Sequence, residues 1–325
     1  VNDAGTRYVI TLRENVLFHN GQTMTAADVE ASFHRYLQNN GAGRTMAPYI
    51  SAAYAVDHCT FVVEFTQPYA PFLFFLSSIV ANQKFVVRPA TIVEAFGDDV
   101  ITEIVGTGPF MFDSWIPDQY VRLRRFPDYV SAEGPSFGYS GQKKALVDVL
   151  EYRIIREQSV RQAGARTGEF HFADMVSRDQ LRLFEGDPAV NPWIVRPSRQ
   201  SFLIINMGNP PFDSLQARKA LQYAVDPEEM GYAVVGDDNF WFLNPSLFPP
   251  GHLWHVPDAG EGIYGHPDPQ RAREYLADSG YDGTPIIVLN SREDEIENRS
   301  AVMLQRQLEA VGFVVDVQLL DRASV

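Results

Sequence analysis

Ser136 is a residue whose neighbours could do chemistry. It stands in Gly134-Pro135-Ser136-Phe137-Gly138, the Gly-x-Ser-x-Gly spacing of a hydrolase nucleophile. That motif works where a strand turns sharply into a helix and lifts the serine hydroxyl. Here Pro135 lies inside it and Tyr139-Ser140-Gly141 starts no helix. The match reads as a coincidence within a loop. No other nucleophile–base–acid set is evident, so the expectation is a protein that is not an enzyme. His252, His255 and His266 fall in one irregular stretch. Neutral imidazoles there could bind nickel or a metal complex, but their spacing is not that of a helical ligand pair. Surface or hydrogen-bonding histidines account for them more simply, and loop solvation explains Asp98-Asp99 and Asp237-Asp238 at least as well. No metal and no other cofactor is expected. The one cysteine, Cys59, allows neither a disulfide framework nor a cysteine-based zinc site.

A second kind of chemistry is non-covalent. Trp241 and Phe242, with Phe248 and Trp254, belong to a long Pro-rich stretch, and long irregular loops in compact domains are often functional. The apolar run Phe202–Ile205 reads as a buried strand that leads directly to Asn206. In open α/β sheets ligands sit beyond the carboxyl ends of strands. Asn206 offers a donor and an acceptor there, and Trp241 and Phe242 would supply apolar walls. These three are the candidate ligand-binding residues. The alternative is equally open: the aromatics staple the loop to its own lobe, and Asn206 ties down its own backbone.

Composition narrows the class. With 325 residues and 45% hydrophobic content, the chain can bury a sizeable core and fits two lobes. Lys and Arg total 27 against 41 Asp and Glu, for a net charge of -14. Nucleic-acid partners need clustered cations, and an anionic membrane would be repelled. The cluster Arg122, Arg124, Arg125 is explained by a strand alternating basic residues outward. No apolar run reaches the roughly 18 residues of a membrane span.

The elements that must position these residues follow from periodicity and caps. Tyr8–Leu12 alternates as a strand, and Phe18-His19-Asn20-Gly21 is a turn. Thr25 to Asp28 is a capping box, followed by Val29, Phe33, Tyr36 and Leu37 on one helical face. Phe61, Val63 and Phe65 face one side of a further strand. Gly106-Thr107-Gly108-Pro109 is a turn whose backbone path few side chains could follow. Strands follow at Phe110–Phe112, Val121–Arg124 and Val147–Ile155, then a helix at Ser159–Arg166 that ends at Gly168. In the second half, Asp213 to Gln216 is another capping box, with Asp213 as N-cap of a helix through Ala217, Ala220, Leu221 and Ala224. The stretch Gly236–Pro267 is irregular. Asp268-Pro269 opens a helix closed by Gly280. A strand at Ile286–Leu289, a helix through Ala301 to Val311 and a strand at Phe313–Leu319 complete an α/β pattern. Asp321 could cap a further helix.

Several segments together resemble the bacterial extracellular solute-binding proteins of family 5, the peptide-, nickel- and opine-type substrate-binding proteins of ABC importers. They are Tyr8 through Val29, with its Phe18-His19-Asn20-Gly21 turn and Thr25-Ala26-Ala27-Asp28-Val29 helix start; Gly106-Thr107-Gly108-Pro109-Phe110 with Arg125-Phe126-Pro127-Asp128-Tyr129; Asn206, Pro210-Pro211-Phe212-Asp213 and Arg218-Lys219-Ala220-Leu221; and Asp268-Pro269 to Gly283. They stand in the family's order. The resemblance implies an α/β, two-lobed, type II periplasmic-binding-protein-like fold. Family members are longer, so it implies a chain truncated at both ends. Residues 1–200 would be part of lobe I with its extra subdomain, and 201–325 part of lobe II. A small molecule or peptide would bind between the lobes and be delivered to ABC permease subunits. The location would be periplasmic, or the outer face of the cytoplasmic membrane, with any lipid anchor outside this stretch. The alternatives are the ligand-sensing domain of a transcription regulator with the same fold, or a nickel/metal-complex binder.

Overall fold

The computed structural model describes residues 1–320 apart from 3, 81–82, 137–139, 175–180, 183, 185, 196–198 and 292–294, and apart from the side chain of Glu295. The chain divides into two units, Val1–Pro192 and Trp193–Val325.

In the first unit, β1 (Arg7–Thr11), β2 (Ile50–Ala55) and β3 (Thr60–Phe65) form an antiparallel sheet in the order β1–β3–β2. Helix α1 (Ala26–Asn39) lies against it, burying Ala26, Val29, Phe33 and Tyr36. Phe33 meets Phe61 edge-on at 5.4 Å between ring centres, and Phe85 at 5.8 Å. Each such ring contributes about 1.5–3 kcal/mol through its removal from water. The α1 face and the alternating residues of β3 are therefore the same core, as their periodicities predict. Strand β2 is the addition: Ile50–Ala55 carries no strict alternation, and its pairing with β3 defines it.

The chain leaves α1 through α2 (Gly41–Met46). A Cβ on Gly43 would overlap the Tyr36 carbonyl, so this turn needs glycine. Short helices α3 (Phe72–Leu76) and α4 (Ala90–Phe96) follow. Asp28 joins α1 to α4. Its Oδ2 accepts the Thr25 N–H at 2.7 Å and the Thr25 hydroxyl at 3.0 Å, and its Oδ1 accepts the Ala90 N–H at 2.7 Å. The carboxylate thus closes the box predicted at Thr25 and also serves the first helical residue of α4.

A second antiparallel sheet contains β4 (Phe110–Ile116), β5 (Tyr120–Arg125) and β6 (Val149–Arg153), with Asp118 left-handed in the β4–β5 turn. The basic residues alternate outward as expected and meet acids. Arg122 lies 3.5 Å and Arg124 3.9 Å from Asp113, and Arg125 lies 2.7 Å from Asp148. Helix α5 (Gln158–Thr167) ends at Gly168, whose φ of 77° is the left-handed cap that glycine adopts without strain.

In the second unit, α6 (Leu215–Ala224) and α7 (Pro227–Val234) precede the long irregular stretch, and α8 (Pro269–Asp278) follows it. Asp268 caps α8 by accepting the Arg271 N–H at 3.0 Å. Strand β7 (Ile286–Ser291), helix α9 (Glu295–Glu309) and β8 (Val315–Leu320) form a crossover, and β7 and β8 pair in parallel with Ile286 opposite Val315. Leu304, Leu308, Phe313 and Val315 pack with Ala220, Leu221, Ala272 and Leu276 to form the core. Gln307, nearly buried, bridges α9 to the start of α7. Its Oε1 accepts the Asp226 N–H at 3.2 Å, and its Nε2 donates to Glu229 Oε2 at 2.8 Å.

Three local expectations are corrected. Phe202–Ile205 is neither strand nor buried: Ile204 is 91% exposed and Phe202 57%. Among the described residues no strand pairs with it, and an apolar run alone does not supply a partner. Asp213 is not the N-cap of α6; Ser214 holds that position. The Asp213 and Phe212 carbonyls instead accept from Arg218 Nη1 at 3.0 and 2.6 Å, so the arginine organises the turn. Finally, neither Gly106 nor Gly108 adopts a left-handed φ, and a Cβ at either meets nothing closer than 3.7 Å, so that turn does not require glycine. Asp321 lies outside the described residues.

Candidate functional site

The Gly106–Pro109 turn is held by a side chain from far upstream. His19 Nδ1 accepts the Gly106 N–H at 3.3 Å, which leaves Nε2 as the donor to the Gly108 carbonyl at 3.0 Å. The His19 backbone N–H donates to the Gly106 carbonyl at 2.9 Å. Phe126 then packs edge-on against the imidazole at 5.1 Å and donates its own N–H to Pro109 O at 2.9 Å. The Phe-His-Asn-Gly turn, the Gly-Thr-Gly-Pro turn and the Arg-Phe-Pro-Asp segment therefore form one knot. Its imidazole serves the fold through both nitrogens.

The candidate ligand residues lie in the second unit. Asn206 is exposed, and its Oδ1 accepts the Gly208 N–H at 3.0 Å, the local backbone tie that asparagine makes readily. Among the described residues its amide Nδ2 has no partner. Trp241 is half-buried and meets Tyr232 of α7 edge-on at 4.9 Å, while its Nε1 donates to Gly236 O at 3.4 Å. A Cβ on Gly231 would overlap the indole ring, so α7 presents a glycine where Trp241 lies. Trp241 staples the loop to its helix. Phe242 next to it is 57% exposed. Among the described residues no hydrogen bond or ring contact joins Asn206 to Trp241 or Phe242.

What connects these segments is a polar knot around Ser246, which is 4% exposed. Ser246 Oγ accepts the Val256 N–H at 3.0 Å. Its carbonyl accepts from Asn244 Nδ2 at 2.9 Å and from Gln200 Nε2 at 2.8 Å. The Gln200 bond brings the extended segment that leads to Asn206 alongside the loop of Trp241 and Phe242. Close by, burial pushes the Tyr264 hydroxyl above its ordinary pKa, against a smaller opposing hydrogen bond from the Asn244 backbone. No sequence pattern marks Ser246 or Asn244; both matter because of what the loop folds around.

The loop histidines are engaged locally. His255 Nδ1 donates to Phe248 O at 2.9 Å, and His252 Nδ1 accepts the Trp254 N–H at 3.2 Å while its ring stacks on Phe248 at 4.6 Å. Among the described residues, the only group of His, Cys, Asp and Glu with metal-ligand proximity is elsewhere, at Glu14, His58 and Cys59. Ser136 donates its hydroxyl to the Gln142 carbonyl, so it is occupied by its own loop. Phe137 and Gly138 of that motif lie outside the described residues. Among the described residues no helix is long and apolar enough to cross a membrane.

Each of the two units packs helices on strands around a core of its own. The fold is shared with solved structures of binding proteins. The binding protein AgaA of A. tumefaciens R10, in complex with agropinic acid, superposes with a TM-score of 0.77 at 21% identity, over 100% of this chain and 63% of that one. The oligopeptide-binding protein AppA of Bacillus subtilis, in complex with a nonapeptide, gives 0.76 at 18% identity, over 99% and 64%. The fold is that of the type II periplasmic binding proteins. The chain belongs to the bacterial extracellular solute-binding proteins, family 5, matching the middle region of that family over residues 1–325. Among curated relatives, the glutathione-binding protein GsiB of Escherichia coli K12 is 25% identical over 327 residues, and that of Salmonella typhi 26% over 331. The chain is covered to 99% in both comparisons and spans 59% of those relatives' length. These relatives are named as binding proteins, not enzymes.

Proposed function

We propose that the chain is part of the substrate-binding component of an ABC importer, which holds a peptide or other small solute and hands it to membrane permease subunits without making or breaking a bond. The observation that carries the reading is membership of family 5 over residues 1–325. The location that goes with this function is the periplasm or the outer face of the cytoplasmic membrane. Residues 1–200 would belong to lobe I with its extra subdomain and 201–325 to lobe II, a reading supported by the division of the chain into Val1–Pro192 and Trp193–Val325.

Asn206, Trp241 and Phe242 are proposed as ligand-contacting residues of the second unit. Two facts support a division of labour among them. Asn206 keeps an uncommitted amide donor, and Phe242 exposes its ring while Trp241 anchors the loop beneath. Peptide and small-solute sites combine apolar walls with a few placed polar groups. Phe242 would then be a wall, Asn206 a polar contact, and Trp241 the support that positions Phe242.

The test is a thermal-shift screen of the natural-length protein against dipeptides, tripeptides, glutathione, opines and nickel–histidine complexes, followed by titration of the hits. Binding of one such solute raises the thermal midpoint by mass action. Asn206→Ala and Phe242→Ala should then weaken affinity at an unchanged midpoint of the unliganded protein. If no solute class binds, the transport reading fails. If both variants bind as tightly as the parent, the site assignment fails alone.

A further inference from the structure

The β2–β3 hairpin turn carries Asp57-His58-Cys59, and the chain after β1 brings Glu14 over it. The ladder between β1 and β3 continues one step beyond Thr11, with the Leu12 N–H donating to Cys59 O at 2.8 Å. The turn is fixed on its other side as well. The Ala26 N–H donates to His58 O at 2.8 Å, and the Cys59 N–H donates to Asp57 Oδ1 at 2.8 Å. Asn15 takes a left-handed φ of 59°, which reverses the chain immediately after Glu14. Arg13, the nearest cation in sequence, donates its guanidinium away to Val130 O. The backbone on which three ligand-type side chains stand is thus held by hydrogen bonds from two other elements.

The carboxylate of Glu14, the imidazole of His58 and the thiol of Cys59 lie with their ligand atoms within 4.8 Å of one another. We propose that these three residues bind a divalent cation of the zinc class, with solvent completing the coordination. One cysteine cannot make a cysteine-cluster site, but a mixed sulfur–nitrogen–oxygen set is within zinc's range. Zinc–sulfur and zinc–nitrogen bonds of about 2.3 and 2.0 Å set tetrahedral ligand atoms about 3.5 Å apart. The ligand atoms therefore need to close by no more than about 1.3 Å, a movement open to the exposed side chains of Glu14 and His58. The soft thiolate with imidazole disfavours calcium and magnesium, which take oxygen ligands. Zinc takes cysteine as thiolate, histidine as neutral imidazole and glutamate as carboxylate, so binding releases the Cys59 thiol proton to solvent and the ion's two positive charges meet two negative ligands. The ion would pin the Glu14 turn to the hairpin and shield the single cysteine.

Cobalt is the probe that reads the ligand set. Adding Co²⁺ to the reduced protein should produce a thiolate-to-cobalt charge-transfer band, and stoichiometric Zn²⁺ should bleach it. Cys59→Ser should abolish the band. Glu14→Gln and His58→Gln, both at exposed positions, should each weaken Zn²⁺ binding by at least about tenfold, the scale on which even supporting groups act. Circular dichroism without metal verifies that each variant is folded. Absence of the band in the parent protein overturns the proposal. So does a band and a zinc affinity unchanged in both Glu14→Gln and His58→Gln, which would mean an isolated thiol.

Discussion

Asp28→Ala removes a carboxylate that serves two helix starts at once, and its cost can be worked from the hydrogen bonds. Loss of an N-terminal cap costs about 1 kcal/mol. The Ala90 N–H, half-buried at the head of α4, then loses the acceptor that lies 2.7 Å away, and leaving such a donor unmade costs about 1–3 kcal/mol. The expected total is about 2–4 kcal/mol. Asp28→Asn retains one oxygen acceptor and presents an NH₂ group to the other donor, so it should cost about half as much. Thr25→Ala leaves the backbone bond to Asp28 in place and should cost less than about 1 kcal/mol. Because two units need not unfold together, urea titration should be paired with amide hydrogen exchange. The accelerated amides should be those at the starts of α1 and α4. A loss under about 0.5 kcal/mol, the range of ordinary surface substitutions, would refute the reasoning. Protection lost elsewhere, with α1 and α4 unaffected, would do the same.

Gly231→Ala should displace Trp241 and cost about 1–3 kcal/mol through overpacking, read as a red shift of tryptophan emission and a lower midpoint. Alkylation of Cys59 by a neutral thiol reagent should be slow at neutral pH, because burial, Glu14 and Asp57 hold the thiol protonated; Glu14→Gln should speed it, and an unchanged rate would remove Glu14 from the account. Asp57, held below its ordinary range first by the Cys59 N–H, and Asp187, held low first by the Ala189 N–H and then by Arg166, are depressed carboxylates. Their stabilisation is complete above the ordinary carboxylate range and declines as pH falls through their lowered values, so Asp187→Asn should flatten part of the acid limb of a midpoint-versus-pH curve. Replacing Leu203 and Ile204 by Thr should reduce self-association in light scattering with little change in stability, since both are exposed apolar residues.

Most helices and strands were readable because a local pattern and the tertiary environment agreed. The α1 stripe and the β3 alternation meet in one core, and Asp268-Pro269 and Gly168 act through backbone geometry alone. Where the outcome depended on a distant partner, reading failed. The Asp213 box resembles the Thr25 box, yet Arg218 takes the turn carbonyls and Ser214 becomes the cap. Helix α7 begins with an Asp-Pro signal as clear as that of α8, and the Asp226 cap was still missed beside the long loop it precedes. Phe202–Ile205 has the composition of a core strand, but composition does not name the neighbour that would bury it. Candidate-site residues were the least legible. Glu14 and Cys59 come together only through the register that sets Leu12 against Cys59, and the uncommitted side of Asn206 is visible only once its Gly208 bond is known.

Native mass spectrometry of the natural-length protein, purified from its own organism without added ligand, tests the central claim most directly. A solute-binding protein should carry one small peptide or solute per molecule, released unchanged on denaturation and rebound on addition to the stripped protein. A protein that carries nothing and binds none of the screened solute classes, or that returns a bound molecule chemically altered, would contradict the account.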